Sequence, residues 1–107
     1  MIKKLTVLIF LSSLMFAQNS NAHSKEGEKV FRKYCWGCHH QTAMAFGPPF
    51  REIAKKRTKA EIMAYISSPR TMYKSFGYKR SVMTQLHLTP EELNAISDYI
   101  LSYKESK

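Results

Sequence analysis

The chain has 107 residues, only two cysteines and a formal net charge of +9 at pH 7. That length fits one domain, and no repeat or low-complexity tract divides it. A basic balance of this size points to acidic partners, which could be nucleic acid, anionic lipid or an acidic protein face.

The first 22 residues differ from the rest. Lys3 and Lys4 form a positive start, residues 5–16 are almost wholly apolar, and Ser20 and Ala22 place small residues where signal peptidase requires them. Residues 1–22 therefore read as a secretory signal cleaved after Ala22, leaving a mature domain over 23–107 in the periplasm. The alternative is an uncleaved N-terminal anchor. The apolar run is shorter than the roughly 20 residues that a membrane span needs. No cysteine lies near the cleavage point, which argues against a lipid-anchored start. Export argues against nucleic acid as the partner, and no nucleic-acid-binding motif is present.

In the mature segment, Ser24 is the expected N-cap of a first helix, with Glu26 and Glu28 in its first turns. Gly27, Phe31, Tyr34, Cys35 and Cys38 recur at helical spacing on one face. The helix ends at Cys35-Trp36-Gly37-Cys38-His39, which holds both cysteines.

In an exported chain that pair allows a disulfide, part of a metal site, or haem attachment, for which Cys-x-x-Cys-His is the signature. Two thiols three residues apart project from the same side of a helical turn. Each can form a thioether with one haem vinyl group, and His39 is then carried beneath the iron. A redox dithiol would follow a strand in a βαβ pattern, and none is visible. A structural zinc site wants four ligands, and Cys35, Cys38, His39 and His40 lie too close together to close a tetrahedron easily. The haem reading is favoured over the dithiol, the other metals and the plain disulfide.

Gly47-Pro48-Pro49 punctuates a loop over residues 41–50. A short helical turn is expected from Phe50 to Lys56. Thr58 can cap a middle helix containing Ile62, Met63 and Ile66, with Met63 read as core, and Pro69 marks its end. Residues 70–88 read as a long loop rich in basic and aromatic side chains, and such loops are usually functional or wrapped on something. The last helix is the clearest element. Thr89 is its N-cap, Pro90 its first residue and Glu92 the partner in a capping box. Leu93, Ile96, Ile100 and Tyr103 share a face, with Tyr99 beside them. No segment alternates as a strand does, so the expected fold is all-α, three to five helices wrapped around one flat cofactor.

Gly27-x-x-x-Phe31-x-x-x-Cys35-x-x-Cys38-His39, Gly47-Pro48, Met83, Leu88-Thr89-Pro90-Glu91-Glu92 and Ser97-Asp98-Tyr99-Ile100 together resemble the class I monohaem cytochromes c of the short bacterial type. The resemblance covers nearly all of residues 23–107. It implies haem c attached at Cys35 and Cys38, with His39 as one axial ligand. In that family a methionine just before the last helix is the second axial ligand, which points here to Met83. The Pro48 carbonyl is then the expected acceptor for the other ring nitrogen of His39. Met72 is the rival for the sixth position, and His87 a weaker one. Thr84 follows Met83 where many relatives have proline, and His40 follows His39 where many have glycine.

Iron with both axial positions filled exchanges electrons but binds substrate poorly. The expected role is therefore a one-electron carrier between respiratory redox partners rather than an enzyme. The alternatives are a ligand-binding or peroxidase-like haem protein with a labile sixth ligand, and a haem-free dithiol oxidoreductase. Lys74, Lys79 and Arg80 share the loop of Met83, and with Lys55, Lys56, Arg57 and Lys59 they could ring an exposed haem edge. Partners with acidic docking faces are expected, membranes only through membrane-bound redox complexes, and a monomer by default.

Overall fold

The structure is a computed structural model that describes the backbone of residues 20–105 and the side chains of residues 25–105. Among these residues there are five α-helices and no strand. The signal expected over residues 1–22 lies almost wholly outside them.

The first helix, α1 (Ser20–Val30), starts before the expected cap at Ser24. Residues 20–26 contain no glycine or proline to stop the helix extending backward. It continues into a π-helical turn, Phe31–Cys35, in which the Trp36 N–H donates to the Phe31 carbonyl at 2.8 Å. π turns are rare and often stand at functional sites. This one delivers Cys35 to the end of the helix.

α2 (Phe50–Lys56) begins directly after Pro49. α3 (Lys59–Ser67) is capped at Thr58, whose Oγ1 accepts from the Glu61 N–H at 3.2 Å while the Thr58 N–H donates to Glu61 Oε1 at 2.9 Å. Pro69 ends α3 as expected, but it also opens α4 (Pro69–Met72), so the long loop starts only after this helical turn. A proline at the first helical position loses no hydrogen bond, which lets one residue serve both purposes.

The last helix, α5 (Pro90–Leu101), has the expected box: the Glu92 N–H donates to Thr89 Oγ1 at 3.0 Å, and the Thr89 N–H to Glu92 Oε1 at 2.9 Å. Thr89→Ala removes the acceptor and is expected to cost about 1 kcal/mol. Thermal unfolding would then show a midpoint about 5 °C lower, whereas an unchanged midpoint would mean that the box carries no stability.

α1 crosses α5 at Gly27. A Cβ there would run into the Cβ of Tyr99 and lie 2.7 Å from the Ala95 carbonyl oxygen. This crossing seats Phe31 against Tyr99, with ring centroids 5.9 Å apart, and Phe50 of α2 edge-on to both at 5.3 and 6.1 Å. Ile62 and Ile66 of α3 complete the buried core with Ile96 and Ile100. Met63 does not belong to it: it is half-buried, and the buried face of α3 is that of Ile62 and Ile66. Lys59 bridges α3 to α5, reaching Asp98 Oδ1 at 2.9 Å and Asn94 Oδ1 at 2.6 Å.

Candidate haem site

After the π turn the backbone makes one more turn. The N–H groups of Cys38 and His39 both donate to the Cys35 carbonyl, at 3.0 and 2.9 Å. Cys35, Cys38 and His39 are thereby gathered on one turn. Neither cysteine is bridged; Cys35 is buried and Cys38 exposed.

Burial, reinforced by the neighbouring Cys38, pushes the Cys35 thiol up to about 12. A dithiol oxidoreductase needs the opposite, a nucleophilic thiolate with a depressed pKa. Cys35 is therefore poorly suited to thiol exchange and well placed for a permanent thioether.

His39 is half-buried, and three contacts fix its ring. Its Nδ1 lies 2.7 Å from the Pro48 carbonyl oxygen. A carbonyl only accepts, so Nδ1 carries the proton and Nε2 keeps its lone pair for a metal. The Phe50 ring stacks on the imidazole at 5.8 Å and 28°. Gly47 covers the ring edge, where a Cβ would stand 2.6 Å from Cε1. The Gly47 N–H also donates to the Cys38 carbonyl at 2.6 Å, which ties the loop to the turn it covers. Further along, Phe50 N–H donates to the His40 carbonyl and Arg51 N–H to that of Gln41, both at 2.9 Å. The loop thus returns to its own start.

The other candidates separate. Met83 is half-buried and packs against the core cluster to which Cys35 belongs. Met72 closes α4 and is half-buried, outside that cluster. His40 and His87 are exposed. Two large apolar side chains near the pentapeptide in sequence stand open to solvent, Trp36 60 % and Phe46 82 % exposed. The π turn, the Phe50 stack and the contact of Gly47 with the His39 ring carried no recognisable sequence signal. A glycine before two prolines signals a turn and not the ring it covers.

The donors fit a haem. Two free thiols stand one turn apart beside an imidazole whose Nε2 is free. Among the described residues, no group of three or more His, Cys, Asp and Glu side chains could enclose a metal ion. A porphyrin iron brings four nitrogens of its own and needs only axial donors from the protein.

Among curated protein sequences, none matches this chain. Among solved structures, the chain is similar to the cytochrome c from Rhodothermus marinus, with a TM-score of 0.69 and 26 % identity over 90 % of this chain and 89 % of that one. An engineered form of the same Rhodothermus marinus protein matches at a TM-score of 0.68 and 25 % identity over 88 % of each chain. That engineered form bound to a carbene intermediate matches at 0.68 and 26 %, over 88 % of each. The family model for cytochrome c matches residues 24–104. This chain belongs to the cytochrome c family, and its cofactor is haem c, attached covalently through Cys35 and Cys38.

Proposed function

We propose that this chain is an exported carrier of single electrons, with the haem iron held between His39 Nε2 and the Met83 thioether. The observation that carries the reading is the 2.7 Å contact of His39 Nδ1 with the Pro48 carbonyl, which leaves Nε2 as the free donor. When bound, the haem supplies an iron that gains or loses one electron. The side chains do the rest. His39, held by Pro48, Phe50 and Gly47, would give the iron an imidazole nitrogen. Met83 would give it a soft thioether donor, which favours the ferrous state and raises the potential. Phe31, Phe50, Ile62, Ile66 and Ile96 keep water from the interior.

The residues' export to the periplasm, with the signal removed after Ala22, belongs to the same proposal. Among the described residues no helix is long and apolar enough to cross a membrane. Cleavage after Ala22 would trim α1 and leave Ser24 near its new start.

Two experiments test the ligand set. The reduced holoprotein exposed to carbon monoxide is expected to keep its spectrum, whereas rapid conversion would favour a ligand-binding role. Met83→Ala is expected to abolish the weak sulfur-to-iron charge-transfer band of the oxidised protein, and Met72→Ala to preserve it. The reverse result would transfer the sixth position to Met72.

The docking face is narrower than the basic residues imply. Lys59 is engaged with Asp98 and Asn94, Lys56 pairs with Glu52 at 3.0 Å, and the Arg57 guanidinium lies 4.0 Å from the Phe76 ring centre. Lys55, Lys74, Lys79 and Arg80 are exposed and form no ion pair with an acid among the described residues. These four carry the proposed attraction for acidic redox partners. Steering of this kind weakens as salt rises. The electron-transfer rate with an acidic partner is therefore expected to fall by about tenfold or more between low and physiological ionic strength. A rate indifferent to salt would contradict the docking face.

A further inference from the structure

The segment carrying Met83 is held to the fold in an unusual way. Its start is firmly seated. The Phe76 ring lies under the Arg57 guanidinium, Arg57 Nη2 donates to the Phe76 carbonyl at 3.2 Å, and Tyr65 packs against Phe76 and Tyr78 with centroids 4.9 and 5.8 Å away. Beyond Tyr78 the pattern stops. Among the described residues, no backbone–backbone hydrogen bond involves residues 79–88. Among the same residues, the hydrogen bond that ties that stretch to the rest of the fold is made by a side chain: Gln85 Nε2 donates to the Ser67 carbonyl at 2.8 Å. The same Nε2 reaches the Leu86 carbonyl at 3.0 Å, which braces the side chain against its own backbone.

Ser67 is the last residue of α3, so its carbonyl lacks an intrahelical donor. Pro69 has no N–H to offer. The Gln85 amide therefore takes up an acceptor that the helix leaves open, at an exposed position.

Met83, Leu86 and Leu88 rest on the core through their side chains. Thr84 leaves φ free where a proline would restrict it.

We propose that Gln85 is a positioning residue for the sixth ligand: its tether to Ser67, two residues beyond Met83, holds the thioether in place on a segment with no backbone–backbone hydrogen bonds. This rests on the Met83 ligation proposed above.

The experiment uses oxidised holoprotein titrated with imidazole, which competes with the thioether for iron. Gln85→Leu keeps the bulk and removes the donor. Gln85→Glu keeps the length and replaces the donor with an acceptor. Losing one such hydrogen bond is expected to raise the apparent imidazole affinity about five- to tenfold in both variants. Thr84→Ala, one residue nearer to Met83 but making no tether, should stay within about twofold of wild type. A purely structural role would lower the thermal midpoint without changing the imidazole titration, and that result overturns the proposal. So does an effect in Thr84→Ala as large as in the Gln85 variants. The sulfur-to-iron band of the wild type separates the two levels: if it is present and the Gln85 variants titrate like wild type, only the tether fails. If it is absent, the Met83 ligation fails and the tether with it.

Discussion

Replacing Gly27 with alanine destabilises the holoprotein by about 2 to 3 kcal/mol and lowers its thermal midpoint by roughly 10 °C. The added methyl meets the Cβ of Tyr99 and the Ala95 carbonyl. Neither can rotate away, because one is backbone and the other is fixed to it. The two helices must separate, and with them the Phe31, Phe50 and Tyr99 rings that fill the crossing. Gly37→Ala is the control. A Cβ at Gly37 meets nothing within 4 Å, so its cost is expected within about 0.5 kcal/mol. Circular dichroism melts of the two holoproteins check the contrast, and equal midpoints would mean that the helix crossing is not tight.

Gly47→Ala acts on the ligand rather than on the fold. Its methyl would stand 2.6 Å from His39 Cε1, 3.0 Å from Nδ1 and 3.1 Å from Nε2. The imidazole cannot retreat without leaving the Pro48 carbonyl or the Phe50 face. The bond to Pro48 makes the imidazole more basic, which favours the ferric state. Weakening it should raise the reduction potential by roughly 60 mV, equivalent to a tenfold change in the one-electron equilibrium. The yield of matured holoprotein should fall as well. A potentiometric titration that superimposes on wild type would show that Gly47 does not hold the ring.

These effects lie on features of different visibility in the sequence. The caps of α3 and α5 are local: Thr58 and Thr89 find their partners three residues ahead, so spacing alone reveals them. The pentapeptide from Cys35 to His39 is local too, and its chemistry follows from residue type. The beginning of α1 is less legible, because Ser24 is a good cap but nothing before it breaks the helix. Pro69 showed where α3 ends, and not that a helical turn begins at the same residue.

What sequence could not show is contact across the fold. Lys59 looks like one more surface cation beside Lys55 and Lys56, yet it binds Asp98 and Asn94 on α5. Met63 has the residue type of a core position on a helix whose buried face belongs to Ile62 and Ile66 instead. Gln85 is an ordinary polar loop residue until its amide meets the Ser67 carbonyl. The positions that tune the site, Gly47, Phe50 and Gln85, all act through such contacts.

The most direct measurement is the absorption spectrum of the matured protein in both oxidation states. Covalent haem between His39 and Met83 requires low-spin bands in each state, with the weak sulfur-to-iron band in the oxidised one. A protein without haem bands would contradict the cofactor site at Cys35, Cys38 and His39. A high-spin spectrum would contradict the electron carrier and leave the iron open to substrate.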